Sequence, residues 1–138
     1  LSALLVIGLS SCNEDKNNEK PKDAVQSTLT KIMASAWQPT YVTMEFEAPG
    51  LPPYKEVDTI NNVSVAFNSN TVITYENGQA FDTIVYSMIS ADSLLFDSLR
   101  MGIELLNDSE MRLRSKYEVD TPQFSMKGTH YTTFEFIR

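Results

Sequence analysis

The sequence predicts a mainly β fold: an antiparallel up-and-down meander of seven or eight short strands with one N-terminal helix. Three patterns indicate it. Apolar residues recur at helical spacing over residues 23–36. After Trp37, apolar and polar residues alternate, as in strands with one buried face. Turn-forming residues interrupt this alternation at short intervals, and Asn77-Gly78 is the strongest hairpin signal among them. This spacing predicts a small β-barrel or, alternatively, an open β-sandwich.

The helix is predicted over residues 23–36. Asp23 is a candidate N-cap because Gln26 follows three residues later, which is the spacing of a capping box. One helical face then carries Val25, Leu29, Ile32, Met33 and Ala36. We expect this face to pack on the rest of the domain.

The strands follow from the alternation. They are predicted over residues 41–46, 63–67, 71–75, 81–89, 93–101, 103–106, 111–117 and 131–138. Residues 47–61 hold three prolines and Tyr54 and are predicted to be the longest irregular stretch. Such a stretch is a natural place for a lid over a pocket or for contact with a partner.

The chain opens with an apolar run, residues 1–9, that is too short for a bilayer span of roughly 20 residues. It fits the end of a truncated signal peptide. Leu9-Ser10-Ser11-Cys12 resembles a bacterial lipobox, so residues 1–11 are predicted to be cleaved and Cys12 to carry lipid. A buried strand ending in a free cysteine is the alternative, which the polar residues 13–20 disfavour. Residues 12–22 are then a lipidated flexible tether and residues 23–138 the domain.

The composition of the chain argues against some classes of binding partner and of site. The formal net charge is −7, which argues against binding to nucleic acid and against electrostatic docking on anionic lipid. Residues 24–138 contain 8 basic and 14 acidic side chains, so the acidity belongs to the domain. Cys12 is the only cysteine, which excludes an internal disulfide and a cysteine-based metal cluster.

Residues 32–138 resemble the lipocalin-like lipoproteins of the Bacteroidota. The resemblance rests on Trp37 at the start of the first strand, the meander, the predicted hairpin of residues 103–113 and a closing strand that ends in Arg138. The usual Gly-x-Trp signature reads Ser35-Ala36-Trp37 here, so its glycine is absent. The resemblance implies a barrel closed at one end by Trp37 with Arg138 stacked across it. Alternation permits the pair, because Phe134, Phe136 and Arg138 share one strand face.

One functional hypothesis is a ligand carrier that binds a small apolar molecule. An eight-stranded barrel can hold one small ligand or be filled by its own side chains. The candidate lining residues are Phe67, Tyr75, Phe81, Tyr86, Met88, Phe96, Met111, Tyr117, Phe134 and Phe136. The alternative is an accessory lipoprotein of the outer membrane that has a filled core and contacts an envelope protein.

The sequence offers no constellation for catalysis, a metal or a cofactor. His130 is the only histidine, so a serine–histidine triad or a histidine metal site would have to use it, and no nucleophile elbow accompanies it. Glu45 and Glu47 share one face of a strand, which is routine for a solvent-exposed surface. We therefore expect a protein that is not an enzyme.

Two further patterns concern the cell envelope. Four Asp-Ser/Thr-aliphatic triplets resemble the O-glycosylation acceptor motif of exported Bacteroidota proteins; their hydroxyl residues are Thr59, Thr83, Ser93 and Ser98. Thr59, in a loop-like stretch, is expected to be the most accessible. Glu14 and Asp15 follow Cys12 closely and resemble the signal that sends such lipoproteins to the outer surface. The sequence thus predicts an outer-membrane lipoprotein at the cell surface rather than one facing the periplasm.

Overall fold

The computed structural model describes residues 21–121 and 126–138. Within these residues the fold is mainly β, as predicted, with nine antiparallel strands where seven or eight were expected. The elements are helix α1 (Pro21–Met33) and strands β1 (Gln38–Glu47), β2 (Tyr54–Thr59), β3 (Val63–Phe67), β4 (Thr71–Glu76), β5 (Gln79–Ser90), β6 (Ser93–Phe96), β7 (Leu99–Leu106), β8 (Glu110–Thr121) and β9 (Met126–Ile137).

The strands form one sheet in the order β2-β1-β9-β8-β7-β6-β5-β4-β3. Strand β5 pairs with two different strands along its length. Its first part, up to Val85, pairs with β4, and its second part, from Tyr86, pairs with β6. The sheet therefore bends along β5, and β3, β4 and the start of β5 lie against the remaining strands.

The sheet does not close into a continuous hydrogen-bonded barrel, since β2 and β3 are its two edges. One isolated bridge, Trp37 with Val65, joins the chain just before β1 to β3 through two N–H···O bonds of 2.8 Å. Of the two predicted architectures, this arrangement corresponds to the open one, pinned at one point.

Helix α1 is shifted from its predicted bounds. It begins at Pro21, whose fixed φ and missing N–H suit a first helical position, so Asp23 lies within the first turn instead of capping it. The last two residues of the predicted tether therefore belong to the helix. The helix ends at Met33, and Ala36 is exposed, because the chain must be extended at Trp37 to reach Val65.

Two strand predictions were wrong. The single strand expected over residues 93–101 is divided into β6 and β7 by a turn at Asp97-Ser98, in which Asp97 adopts a φ of +52°. The stretch expected to be irregular, residues 47–61, contains β2, which pairs with β1 from Tyr54 opposite Phe46 to Thr59 opposite Tyr41. All six β2 residues are exposed, so no apolar alternation marked this strand in the sequence.

The core lies where α1 meets the bend of the sheet. Ile32 is fully buried, with Leu29 and Met33 packed beside it, which is the predicted helix face without Ala36. The buried apolar side chains are Ile32, Trp37, Val65, Phe67, Val72, Tyr86, Leu94, Met101, Met111, Leu113 and Phe136.

Candidate functional site

Trp37 and Arg138 cover the helix end of the sheet. Trp37 is fully buried, and its indole N–H donates to the Ile32 carbonyl at 2.9 Å. The Arg138 guanidinium carbon lies 3.7 Å from the centre of the Trp37 ring, so the stacking expected from the resemblance is present. Arg138 also donates to the carbonyls of Asp108, at 3.1 Å, and Lys31. It thus joins the end of α1, the β7–β8 turn and the end of β9.

A cavity of about 230 Å³ lies between the folded-over strands β3–β5 and the strands β6–β9. It is lined by Val65, Phe67, Val72, Thr74, Ile84, Phe96, Leu99, Met101, Leu113, Phe134 and Phe136. Thr74 is the only polar residue in this set. Such a lining favours an apolar occupant, because each polar group of a ligand would need a partner that the wall does not offer.

Strand alternation and register build this wall. Val65 and Phe67 share one face of β3, and Phe134 and Phe136 share one face of β9. Leu113 stands directly opposite Phe134 in the β8–β9 register. Leu99 is 45% exposed, which places it at the open side of the cavity.

Contacts between aromatic rings support one side of the cavity wall. The ring of Phe67 meets that of Tyr86 edge-on at 5.3 Å between centroids and that of Phe96 at 6.4 Å. Tyr86 is 2% exposed, its hydroxyl donates to the Asn68 carbonyl, and burial raises its pKa above the ordinary value near 10. These contacts fix two of the wall residues from behind.

Of the predicted lining residues, Phe67, Phe96, Phe134 and Phe136 line the cavity. Tyr86 and Met111 are buried core instead, and Met88 packs against that core without lining the cavity. The aliphatic wall was missed because the prediction selected aromatic residues and methionines. The signal was nevertheless present in the two-residue spacing, because Val65 and Phe67 share one face of β3 and Val72 and Thr74 share one face of β4.

Three other predicted lining residues lie elsewhere. Phe81 is 59% exposed, because the β4–β5 register shifts beside it: Thr74 faces Asp82 while Tyr75 faces Ala80. Tyr75 is partly buried and does not line the cavity. Tyr117 is 51% exposed and lies four residues along β8 from the lining residue Leu113.

His130 stands between two aromatic rings on neighbouring strands. Its ring lies 5.0 Å from that of Tyr117, at an interplanar angle of 9°, and 4.7 Å from that of Phe46. On the other face of the sheet, Glu45 lies 3.9 Å from Arg114 in an ion pair. His130 is thus partly covered rather than free on the strand surface, and it has no partner for acid–base chemistry within these contacts.

The predicted glycosylation acceptors differ in accessibility. Thr59 is exposed at the end of β2, in a strand rather than the expected loop, Thr83 is exposed on β5, and Ser98 is exposed in the β6–β7 turn. Ser93 is partly buried at the start of β6. Three of the four hydroxyls are thus open to a modifying enzyme, and glycosylation itself stays a prediction.

Residues 21–121 and 126–138 contain no group of three or more His, Cys, Asp or Glu side chains placed to hold a metal ion. Within that same part of the chain, no helix has the length and apolarity of a membrane span. The predicted signal peptide, Cys12 and the tether up to residue 20 lie outside the described residues.

The cavity is thus an apolar concave feature whose lining includes four of the residues that the sequence suggested for an apolar pocket. Comparison of the chain with protein-family models and with curated proteins finds no match.

Proposed function

We propose that this chain is a membrane-anchored lipoprotein of the cell envelope whose β domain binds one small apolar ligand and catalyses no reaction. The observation that carries the binding function is the cavity of about 230 Å³ between the two parts of the sheet. Ten of its eleven lining side chains are apolar. Binding of an apolar ligand there lowers the free energy, because apolar surface of both the ligand and the wall is removed from water.

The cavity size limits the ligand. Pockets for drug-sized molecules are typically about 300–1,000 Å³, so this one suits a smaller molecule or a single hydrocarbon chain. The core beneath it is filled by Tyr86, Leu94 and Met111, all at most 2% exposed. The domain therefore has both a filled core and, beside it, an apolar cavity.

The anchor part of the proposal rests on the lipobox and on the distance from Cys12 to the domain. The first described helical residue, Pro21, follows Cys12 by nine residues. At about 3.3–3.6 Å per extended residue, this linker reaches roughly 30 Å. Glu14 and Asp15 support an outer-membrane position with the domain at the cell surface.

The ligand test compares two tryptophan substitutions. Leu99→Trp places an indole at the open side of the cavity, whereas Val85→Trp places the same side chain at a position that is 61% exposed and does not line the cavity. We expect the native chain and Val85→Trp to bind the neutral apolar dye N-phenyl-1-naphthylamine equally, and Leu99→Trp to bind it about tenfold more weakly. Equal binding by all three, or none by the native chain, would contradict the proposal.

Native mass spectrometry of the domain, purified from its own envelope, identifies the ligand. A reproducible added mass that is lost on denaturation is the expected result. For the anchor, metabolic labelling with an alkyne fatty acid should mark the native chain and not Cys12→Ser. Labelling that persists in Cys12→Ser would exclude this cysteine as the anchor.

One observation favours a second candidate, contact with an envelope protein through β2. This strand is a sheet edge, and Leu51, Tyr54 and Val57 in and before it are 57%, 57% and 53% exposed. No residue of 47–61 lines the cavity, so the segment is not its lid. Val57→Lys should abolish capture of such a partner and leave dye binding unchanged; loss of dye binding would instead tie β2 to the ligand.

A further inference from the structure

A row of aromatic side chains crosses β8, β9 and β1 beyond the cavity. Tyr117 pairs with His130, and His130 pairs with Phe46, so the three side chains share one face of the sheet. Their rings are in contact, at 5.0 Å and 4.7 Å between centroids. We name Tyr117, His130 and Phe46 the aromatic shelf. Tyr54 on β2 pairs with Phe46 and extends the row by one strand.

The shelf continues the cavity wall. Leu113 and Phe134, which pair with each other and line the cavity, occupy the same strand faces as Tyr117 and His130 four residues away. Four residues of strand span about 13 Å at about 3.3 Å each. The step between them is the Ser115–Thr132 pair, which places two hydroxyl side chains between the apolar wall and the shelf. The shelf therefore lies about 13 Å from the wall along the strands, a separation that a long, thin ligand can span.

The shelf side of the sheet carries negative charge. On β2, Glu56 and Asp58 share the face of Tyr54, and the Tyr54 hydroxyl donates to a Glu56 carboxylate oxygen at 3.0 Å. This carboxylate, together with a Coulomb effect of Asp58, raises the pKa of Tyr54. The rim of the shelf therefore suits a cation and repels an anion.

The lysine and arginine side chains of β1, β2, β8 and β9 lie on the face of the sheet opposite the shelf. Arg112 pairs with Glu135 at 3.4 Å there, and Arg114 lies over the Tyr131 ring at 4.2 Å and pairs with Glu104 at 3.3 Å. The register places Lys55, Lys116 and Lys127 on that same outer face. Arg138, just past β9, lies at the opposite end over Trp37. No lysine or arginine side chain of the described parts of β1, β2, β8 and β9 thus faces the shelf, whose own His130 is the one nitrogen base on that face of these strands.

We propose that the cavity ligand is a single-chain amphiphile with a cationic ammonium head, its chain in the cavity and its head on the aromatic shelf beside Glu56. Ring faces attract an ammonium group, and the nearby carboxylate adds charge complementarity. This inference rests on the proposed binding function and narrows it. It disfavours fatty acids, whose carboxylate would meet Glu56 and Asp58 with no lysine or arginine to pair it.

The test is displacement of bound N-phenyl-1-naphthylamine by three dodecyl amphiphiles below their micelle concentrations: dodecyltrimethylammonium, dodecyl maltoside and dodecanoate. We expect the ammonium compound to displace the dye at about tenfold lower concentration than dodecanoate, with the maltoside between them. Equal potency, or tighter binding of dodecanoate or of the maltoside, would overturn the inference and leave the binding function standing. If the native chain binds neither the dye nor any amphiphile, both fail.

Two matched pairs of variants locate the head. Glu56→Gln keeps an acceptor for Tyr54 and removes one charge, while Glu118→Gln removes one exposed charge from the other face of β8. Tyr117→Ala removes a shelf ring, while Tyr41→Ala removes a 45% exposed tyrosine from the outer face of β1. Glu56→Gln and Tyr117→Ala should each weaken binding of the ammonium compound several-fold and leave binding of the maltoside nearly unchanged. Equal effects of Glu118→Gln or Tyr41→Ala would mean non-specific attraction to an acidic protein and would overturn the inference.

Discussion

The guanidinium carbon of Arg138 lies 3.7 Å from the centre of the Trp37 ring, although the two residues are 101 positions apart in the chain. The same guanidinium donates to carbonyls of Lys31 and Asp108. A planar group with several donors can serve a ring face and two carbonyls at once. One side chain thereby holds together the helix end, the β7–β8 turn and the end of the β1–β9 pair at which β1 begins and β9 ends.

Arg138→Ala should lower the free energy of unfolding by about 1–2 kcal/mol, because it removes the cation–π contact and two hydrogen bonds. Urea denaturation followed by tryptophan fluorescence measures this, since Trp37 is the only tryptophan. Arg138→Lys should recover only part of the loss, because an ammonium lacks the planar fork. Arg100→Ala, at an exposed position on β7, is the control and should change stability by less than about 0.5 kcal/mol. A wild-type midpoint for Arg138→Ala would contradict this role.

Gly128→Ala should destabilise the domain by about 1–3 kcal/mol, because its added methyl group has no room. A Cβ there would lie 2.5 Å from Phe46 Cε2 and 2.8 Å from the Glu47 carbonyl oxygen. The matched substitution is Gly102→Ala on β7, where the nearest atom would be 3.8 Å away. Thermal melting should rank Gly128→Ala well below Gly102→Ala, and equal melting temperatures would show that Phe46 moves aside freely.

The buried Tyr86 hydroxyl should make stability fall at alkaline pH. Burial raises the pKa of Tyr86 in the folded state, so the folded protein keeps this proton after the unfolded chain begins to lose it near pH 10. The stability that Tyr86 contributes is therefore fully present below about pH 10 and is lost as the pH rises through the folded-state pKa.

Tyr86→Phe checks this. At pH 7 the variant should be about 1 kcal/mol less stable, because the Asn68 carbonyl loses its donor. Near pH 11 the difference should shrink, because the phenylalanine has no proton to lose. Urea midpoints at both pH values measure it, with Tyr41→Phe as the exposed control. A gap between native chain and variant that stays constant with pH would contradict the prediction.

Asp97→Gly should stabilise the domain by about 0.5–1 kcal/mol. Asp97 has a φ of +52°, a region that costs L-residues energy and that glycine enters freely. The bond from its backbone N–H to the Val85 carbonyl remains possible in the variant. Ser98→Gly in the same turn should instead lower the free energy of unfolding by about 0.5 kcal/mol, because at that position glycine only increases the conformational entropy of the unfolded chain. Chemical denaturation measures both, and a loss of stability in Asp97→Gly would show that its side chain matters more than its backbone angle.

The sequence by itself determined part of the local structure of this protein. Alternation identified β3 within its true bounds, and Asn77-Gly78 forms the predicted hairpin turn, with positive φ at both residues. The helical stripe identified Ile32 as a buried residue. These features are readable because each depends on neighbours a few positions away: side-chain periodicity and turn geometry are local properties of the backbone.

Only the tertiary structure decided where the sheet ends and what its inner face holds. Strand β2 carries no burial pattern, so it became visible only through its pairing with β1. The cavity depends on the bend of β5, and the aromatic shelf depends on the register that sets Tyr117, His130 and Phe46 side by side. Register is a long-range choice made by packing one whole face at once. That is why aromatic residues which looked equivalent in the sequence were divided among the wall, the core, the shelf and the solvent.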